Sequence, residues 1–306
     1  MFALTGATGY IGRALGPALL DAGLQSKGQS LVTLGRRALA GVAHRPLDLQ
    51  SAAGYRDALA GVRCIIHCAG IAHHNGEAPD YERVNLRSTV SLADAALSVG
   101  CRHFVFVSSL NIVPPDCNDA GLPARRLSRP TDDYARSKWQ AEQQLEALFA
   151  GSDTALTIIR PALVYDRELV ANLAQLARVL SRLPLQLPAV GRRSMVSRPD
   201  LVAAIVDAAI AEPPRGVRRL AISDGQCYDL QRIGRAFNDG GAIRLPVPAL
   251  SLRWLAALRD RWAGLPGGTT WAGLAGEKWC PLAADTPRAP QRMTLEACFA
   301  GAREGK

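Results

Sequence analysis

The chain of 306 residues is 48% hydrophobic and 21% charged, a composition that fits a folded globular protein and excludes a disordered one. No apolar run is long enough to cross a bilayer and no secretory leader pattern is present, so we expect a cytoplasmic protein. The net charge of +9 favours an anionic ligand, and no basic run with interleaved aromatic residues indicates nucleic-acid binding.

The cysteines and histidines form no pattern that is typical of a metal site. The seven cysteines are scattered without a Cys-x-x-Cys pair. The histidine pair, His73-His74, has no accompanying cluster of cysteines or carboxylates, so we interpret it as part of a solvated loop. The sequence therefore predicts no bound metal.

Segments typical of strands and helices alternate through the first half of the chain. The predicted strands span 1–5, 30–34, 63–68, 103–108 and 155–160, and the predicted helices span 10–22, 52–60, 81–99 and 132–149. Gly100 and Gly151 suit the ends of the last two helices. This order predicts an α/β fold, with a doubly wound parallel sheet of the Rossmann type covered on both faces.

The pattern changes after Pro161. Helices are predicted at 169–183 and at 200–211, the second with Asp200 as its N-cap, and a strand at 217–222 is expected to return to the main sheet. We therefore predict a sheet domain at 1–165, onto which 196–225 folds back, and a smaller, mainly helical lobe at 166–306. No internal repeat is visible.

The stretch 250–263 mixes leucine and tryptophan with Arg253, Arg259 and Arg261. We predict that its apolar side packs against the core and its basic side faces water. The alternative is a position on a membrane surface. On the first interpretation we expect no membrane partner.

A glycine-rich loop follows the first predicted strand and precedes the first helix: Thr5-Gly6-Ala7-Thr8-Gly9-Tyr10-Ile11-Gly12. Glycine suits a tight turn at Gly6, close approach of backbone to a pyrophosphate at Gly9, and close packing of helix on strand at Gly12. The N-terminus of the helix then offers N–H groups to phosphate. The loop predicts dinucleotide binding by the sheet domain.

The end of the second strand bears on the identity of the dinucleotide. An acidic residue there would bind the 2′-hydroxyl of NAD, but this chain has Gly35-Arg36-Arg37. Arginine suits a 2′-phosphate through charge-assisted hydrogen bonds. We therefore predict NADP, with NAD as the alternative, and arginines that only face water as the interpretation without a ligand.

A catalytic set is predicted from Tyr134 and Lys138, which share one helix face four residues apart. The charge of Lys138 would lower the pKa of Tyr134, so that the phenol could exchange a proton with a carbonyl or alcohol oxygen. Ser108-Ser109 ends a predicted strand, where such folds place active sites, and a hydroxyl there could bind the reacting oxygen. The residues alone leave Ser108 and Ser109 as alternatives.

These motifs resemble the extended short-chain dehydrogenase/reductases of the NAD-dependent epimerase/dehydratase family. Further matching segments occur in family order: Asp48-Leu49 near the adenine, His67-Cys68-Ala69-Gly70 lining the cofactor, Val84-Asn85 on a helix, 104–109, 134–138, and Ile159-Arg160-Pro161. The resemblance implies Ser109 as the catalytic serine, cofactor contacts by Lys138, and contact of Arg193 with a substrate diphosphate. It also implies a homodimer.

Within the family the chain looks most similar to enzymes that act on UDP-linked N-acetyl-deoxyhexoses. Departures from the family pattern are Val113, Leu163 and a shortened segment at 288–293, and they bear on substrate identity. The resemblance implies an NADP-dependent reductase of a 4-keto nucleotide sugar, with Tyr134 as general acid. The alternatives are a nucleotide-sugar 4-epimerase with tightly bound NAD, a reductase of steroid-like or flavonoid-like ketones, and a non-catalytic dinucleotide-binding scaffold.

Overall fold

The computed structural model describes residues 1–22, 28–72, 77–114, 117, 119–168, 171–180, 185–237, 245–262, 269–280 and 293–300. The predictions for His73-His74 and for 288–292, and the ends of the helix predicted at 169–183, lie outside these residues. Across the described ranges, no helix has both the length and the apolar character that crossing a membrane requires.

The strands are short and most of the longer ones are buried. They are β1 Phe2–Thr5, β2 Leu31–Gly35, β3 Ala43–Pro46, β4 Cys64–His67, β5 His103–Val107, β6 Ala155–Pro161, β7 Leu163–Tyr165, β8 Leu185–Gln186, β9 Arg193–Ser197, β10 Val217–Ile222, β11 Cys227–Tyr228 and β12 Leu245–Pro246. In β1, β4, β5 and β6 every residue is buried, as expected for strands covered by helices on both faces.

The main sheet contains seven of these strands in the order β10-β6-β5-β4-β1-β2-β3, and all neighbours are parallel. The strand order reverses between β1 and β4, and ligands of such sheets bind in the crevice beyond the carboxyl ends at that point. The predicted doubly wound parallel sheet is confirmed, and so is the return of 217–222 as its edge strand, β10. The strand β3 was missed because Ala43–Pro46 is polar and half-exposed.

The helices are α1 Gly12–Asp21, α2 Tyr55–Ala58, α3 Ala78–Asp80, α4 Ser88–Ser98, α5 Asp133–Leu148, α6 Ala171–Leu180, α7 Arg198–Ile210, α8 Leu230–Phe237, α9 Ala249–Trp262, α10 Thr269–Ala275 and α11 Leu295–Ala300. A π-helical segment, Tyr81–Arg87, joins α3 to α4 within the single helix predicted at 81–99. Gly100 and Gly151 adopt the left-handed conformation just beyond α4 and α5. The predicted helix ends are thereby confirmed.

The predicted N-cap of α7 was wrong by one turn. Ser197 caps the helix, and its hydroxyl accepts a hydrogen bond from the Asp200 backbone N–H at 3.2 Å. The Asp200 carboxylate in turn accepts from the Ser197 hydroxyl at 2.6 Å. Asp200 therefore belongs to the first turn of α7, where a negative charge is favoured by the helix dipole.

Two buried apolar clusters cover the faces of the main sheet. One contains Leu15 of α1 with Ile205 of α7, and the other contains Leu92 of α4 with Leu145 of α5. The first cluster also contains residues of the segment from Val196 to β10. A separate cluster around Tyr165 and Tyr228 lies between α6, α8 and α11. The division into domains at 1–165 and 166–306 stays a prediction.

Helix α9 differs from its prediction. Its largest apolar side chains are exposed, with Trp254 at 80% and Trp262 at 87% of their surface accessible. Only the small Ala256 and the acidic Asp260 are buried. The expected packing on the core was therefore wrong for Leu250, Trp254, Leu255, Leu258 and Trp262. Ala256, Asp260 and the half-buried Leu252 form the side of the helix that faces the protein.

Candidate active site

The glycine loop lies against the segment that follows β4, across the point where the strand order reverses. Gly6 has a φ of 70°, and a Cβ there would lie 2.6 Å from the Ala69 backbone nitrogen. A Cβ on Gly12 would lie 2.1 Å from the Gly6 carbonyl oxygen. Both positions therefore require glycine, Gly6 for its conformation and both for space.

The first turn of α1 opens toward this crevice. Thr8 and Gly9 are exposed, Tyr10 and Ile11 are half-buried, and the Gly9 N–H donates to the Gly6 carbonyl at 2.9 Å. Within the described residues, no side chain caps α1. The N-terminal N–H groups of α1 and the exposed backbone at Thr8 and Gly9 fit the phosphates of a dinucleotide.

The opposite wall of the crevice, from Cys68 to Ile71, is held by a buried asparagine. The Asn85 side chain accepts from the Ile71 N–H at 2.7 Å and donates to the Ile71 carbonyl at 3.0 Å. It also donates to the Ser137 hydroxyl of α5 at 3.3 Å. Asn85 was predicted as a cofactor contact, and the structure engages its amide in joining Gly70 and its neighbours to the catalytic helix.

The remaining predicted cofactor residues lie at the carboxyl ends of β2 and β3. Arg36 and Arg37 are exposed directly after β2. Asp48 is exposed after β3 and accepts from the Gln50 N–H at 3.0 Å, while Leu49 is half-buried. These four residues flank the side of the crevice where the adenosine half of a dinucleotide lies in this fold.

Ser109 and Tyr134 meet at the other side of the crevice. Ser109 follows β5, and its hydroxyl accepts from the Asn111 N–H at 3.2 Å. Tyr134 lies in the first turn of α5, which Asp132 caps by accepting from the Ala135 N–H at 2.8 Å. Burial raises the pKa of Tyr134 to about 12, while a hydrogen bond with the Ser109 side chain lowers it. The phenol is therefore protonated near neutral pH.

Lys138 is 4% exposed and lies one turn after Tyr134. Its Nζ donates to the Val107 carbonyl at 3.1 Å and would lie 3.4 Å from a Cβ on Gly70. Burial lowers the pKa of Lys138 to about 8. The ammonium group is thus directed at the crevice floor, beside Cys68, whose pKa burial raises to about 12.

The predicted lowering of the Tyr134 pKa by Lys138 was wrong for this structure. Burial raises the pKa of Tyr134, and the Lys138 ammonium group donates to the Val107 carbonyl at the end of β5. The two side chains still share the crevice face of α5. A raised pKa suits a phenol that donates a proton, and it disfavours one that must first lose it.

Arg193 begins β9 and is half-buried. Its Nε donates to the Gly191 carbonyl at 2.9 Å, and its backbone pairs with Lys278. Lys278 was not predicted as a site residue. Although the residue as a whole is exposed, desolvation of its ammonium group and the charge of Arg193 lower its pKa, and Asp132 at the start of α5 raises it. The pair of cations therefore lies close to the end of α5 that carries Tyr134.

A buried ion pair was also missed. Arg160 and Glu142 both have side chains with 0% exposure, and Arg160 Nη2 lies 2.6 Å from Glu142 Oε2. Arg160 also donates to the Ala120 carbonyl at 2.6 Å. Glu142 lies one turn beyond Lys138 on the same face of α5, but the sequence gives no sign of its pairing with Arg160 of β6. The pair fixes α5 on β6 beneath Tyr134 and Lys138.

The parallel sheet and the glycine crevice at its switch point define a protein of the Rossmann class. The profile of the NAD dependent epimerase/dehydratase family matches residues 2–208, and the chain belongs to that family.

Two curated relatives support the same assignment. The chain is 33% identical over 214 residues to a UDP-glucose 4-epimerase of Vibrio cholerae, covering 66% of this chain and 65% of the relative. It is 29% identical over 303 residues to a ceramide reductase of Caulobacter vibrioides, covering 92% of this chain and 86% of the relative. The chain spans just under two thirds of the length of the first two curated relatives it matches.

Solved structures share the fold at low sequence identity. MoeE5 in complex with UDP-glucose and NAD superposes with a TM-score of 0.73 at 20% identity, over 99% of this chain and 98% of that one. This likeness extends the shared fold beyond residue 208, through the segment that carries Lys278.

Proposed function

We propose that the protein is a dinucleotide-dependent oxidoreductase that reduces the 4-keto group of a nucleotide-linked sugar. The observation that carries the proposal is the meeting of Ser109, Tyr134 and Lys138 at one crevice, with Arg193 and Lys278 beyond the start of α5. The first three groups suit a reacting carbonyl, and the two cations suit a diphosphate.

In this proposal each side chain has one task. Bound nicotinamide dinucleotide would supply the hydride. The Tyr134 phenol, protonated because its pKa is about 12, donates a proton to the developing alkoxide. Ser109 hydrogen bonds to the same oxygen and orients it. Lys138 hydrogen bonds to the nicotinamide ribose from the crevice floor, and Arg193 holds the substrate diphosphate.

NADP is the coenzyme that we propose. Gly35 leads from β2 into Arg36 and Arg37, both exposed, and no acidic residue lies between Gly35 and Val42. Two guanidinium groups at that strand end favour a 2′-phosphate over a 2′-hydroxyl. The double variant Arg36→Gln/Arg37→Gln should lower the preference for NADPH over NADH about tenfold, in line with loss of one charged hydrogen bond.

A nucleotide-sugar 4-epimerase is the second candidate, and the Vibrio cholerae relative named UDP-glucose 4-epimerase favours it. An epimerase oxidises and then reduces the same carbon, so the coenzyme is retained and returns to its starting state. The lack of an acidic residue between Gly35 and Val42 favours the reductase, because an acid at that strand end would bind the ribose 2′-hydroxyl of a retained NAD.

One experiment separates these functions. The purified protein is mixed with a 4-keto UDP-sugar and NADPH or NADH, and coenzyme absorbance and product configuration are followed. A reductase consumes coenzyme in proportion to substrate. Conversion of UDP-glucose without net coenzyme consumption identifies an epimerase. Failure to act on nucleotide sugars, with reduction of a ceramide-like or steroid-like ketone, would contradict both candidates. Binding without turnover would identify the scaffold alternative.

The homodimer, the cytoplasmic location and the absence of a metal stay predictions. Gel filtration with light scattering tests the first. For the third, chelation with EDTA should leave turnover unchanged, because the proposed chemistry uses a phenol, a hydroxyl and an ammonium group and assigns no step to a metal ion.

A further inference from the structure

Helix α9 carries a continuous apolar face that points into solvent. Five of its side chains are half-exposed or more: Leu250 at 74%, Trp254 at 80%, Leu255 at 61%, Leu258 at 50% and Trp262 at 87%. At 100° per residue these positions fall within one side of the helix. Single exposed apolar residues are ordinary on protein surfaces, but a grouped face of this kind marks a binding surface. We refer to these five side chains as the α9 face.

The opposite side of α9 is enough to hold the helix in place. Asp260 is 1% exposed, and its carboxylate accepts from the Thr270 backbone N–H of α10 at 3.0 Å. Ala256 is buried, and Leu252 packs in the cluster with Leu187 and Leu230. The α9 face is therefore not needed for packing on the described part of the lobe.

Positive charge borders the α9 face. Arg253 and Arg259 fall on its two sides by helical spacing, and Arg261 falls between Leu250 and Trp254. All three arginines are exposed, and the Arg259 guanidinium donates to the Thr270 hydroxyl at 2.7 Å. The one acidic residue of α9 is the buried Asp260, so the charges that α9 exposes are all positive, and its exposed surface is otherwise apolar apart from Ser251.

We propose that the α9 face docks onto the surface of an anionic phospholipid bilayer, with α9 lying parallel to the membrane. Tryptophan and leucine on one face, bordered by arginine, is the pattern of helices that bury an apolar side among acyl chains while their cations contact lipid phosphates. Trp254 and Trp262 suit the boundary between headgroups and acyl chains. The net charge of +9 adds attraction at longer range.

A second copy of the chain fits the α9 face less well than a membrane does. In a two-fold contact the same surface meets itself, so the arginines that border one face would approach those of the other. The described surface of α9 offers no carboxylate to compensate, because Asp260 is buried against α10. An anionic lipid surface supplies that compensation at every arginine. This proposal replaces the expectation of no membrane partner, and it does not depend on the proposed function.

Flotation with lipid vesicles tests the proposal. The full chain is mixed at low salt with vesicles of phosphatidylcholine alone or with phosphatidylglycerol added. We expect flotation with the anionic vesicles, weakened by high salt. The variant Trp254→Ser/Trp262→Ser should lose at least tenfold in partitioning. Arg253→Gln/Arg261→Gln should lose about fivefold or more, whereas Arg56→Gln/Arg102→Gln, with the same change of net charge at exposed positions in and near the sheet domain, should float as the parent does.

Thermal melting and gel filtration show whether each variant is folded. Absence of flotation by the folded parent, or equal flotation by the tryptophan variant, overturns the proposal. A parent that does not float but forms a dimer, which the tryptophan variant converts to a monomer, also overturns it and assigns the α9 face to a second copy. Quenching of the parent's tryptophan fluorescence by brominated lipid, reduced in Trp254→Phe/Trp262→Phe, supports it.

Discussion

The crevice beneath α5 and the part of the chain from β9 to Lys278 hold their charged side chains in different ways. Lys138, Glu142 and Arg160 are almost wholly buried. The Lys138 ammonium group donates to the Val107 carbonyl, and Glu142 pairs with Arg160. Arg193 is half-buried and Lys278 is exposed. Burial lowers the pKa of Lys138 and raises that of Glu142, because desolvation disfavours the charged form of each group. The second set keeps water within reach, which suits binding and release of a charged ligand.

The largest effect is expected at the centre of the crevice. Tyr134→Phe removes the proposed proton donor and keeps the ring, so kcat should fall by about 10³-fold. Turnover of a 4-keto UDP-sugar with NADPH measures this. Tyr81→Phe is the matched control, since the Tyr81 ring lies edge-on to Tyr134 at 5.8 Å and its hydroxyl only donates to the Ala72 carbonyl. Wild-type turnover by Tyr134→Phe would remove the proton-donor role.

The buried pair beneath the crevice should show the next effect, on stability. Glu142→Leu leaves the charge of Arg160 unpaired in the core, and the free energy of unfolding should fall by about 3–5 kcal/mol. Urea denaturation measures it. Glu82→Gln, which breaks the exposed pair of Glu82 with Arg87, should cost about 0–1 kcal/mol.

A double variant separates the effect of the unpaired charge from the effect of the changed side-chain shape. Glu142→Leu/Arg160→Met removes both charges and should recover much of the lost stability. If the double variant is no more stable than Glu142→Leu, the loss arises from shape and not from the unpaired charge.

Because of Lys138, the free energy of unfolding should rise with pH. Its folded pKa is about 8 against an ordinary 10.5, so the unfolded chain binds more protons between those values and stability rises with pH there. Lys138→Met should therefore be more stable than the parent below pH 8, by at most about 3 kcal/mol. The difference should shrink as pH approaches 10.5. Denaturation of both proteins without coenzyme at several pH values measures it.

Lys138→Arg is the control for this pH dependence. Its guanidinium stays charged throughout the range, so the difference in stability from Lys138→Met should not shrink as pH rises. A parent that shows the same flat profile as Lys138→Arg would contradict the lowered pKa.

The smallest effects are expected in the second region. Arg193→Met and Lys278→Met should each raise the KM for the nucleotide sugar about tenfold with little change in kcat, because they contact a part of the substrate remote from the reacting carbon. Steady-state kinetics measure the split. Arg192→Met is the control, as Arg192 is exposed and pairs with Glu277 at 2.9 Å. A fall in kcat alone would place the cations at the reacting centre.

Much of the first region could be predicted from the sequence because its periodicity is local. Each of its sequence patterns is visible within about ten residues: the glycine loop Thr5–Gly12, the strand before Ser109 and the helix that begins near Tyr134. The parallel sheet then brings their ends to one edge. Glu142 and Arg160 escaped prediction because a buried ion pair depends on packing between α5 and β6, which spacing alone does not reveal.

The last third resisted prediction for a physical reason. Strands of two or three residues, such as Leu185–Gln186 and Cys227–Tyr228, are too short to show an alternating pattern. Lys278 reaches the site through one backbone bridge to Arg193, 85 residues earlier in the chain. The apolar positions of α9 predicted an amphipathic helix correctly, but periodicity cannot tell whether the apolar side faces a core or solvent.

The Glu142–Arg160 contact also restricts how the protein can move. Sliding α5 along its axis by one turn, about 5.4 Å, would separate Glu142 from Arg160 and leave both charges unpaired in an apolar interior. The cost of unpairing these charges opposes such a movement. Tyr134 should therefore keep its position relative to the sheet when a ligand binds. Rearrangements on binding would then fall on the surrounding loops and on the segment that carries Arg193, while Tyr134 keeps its position.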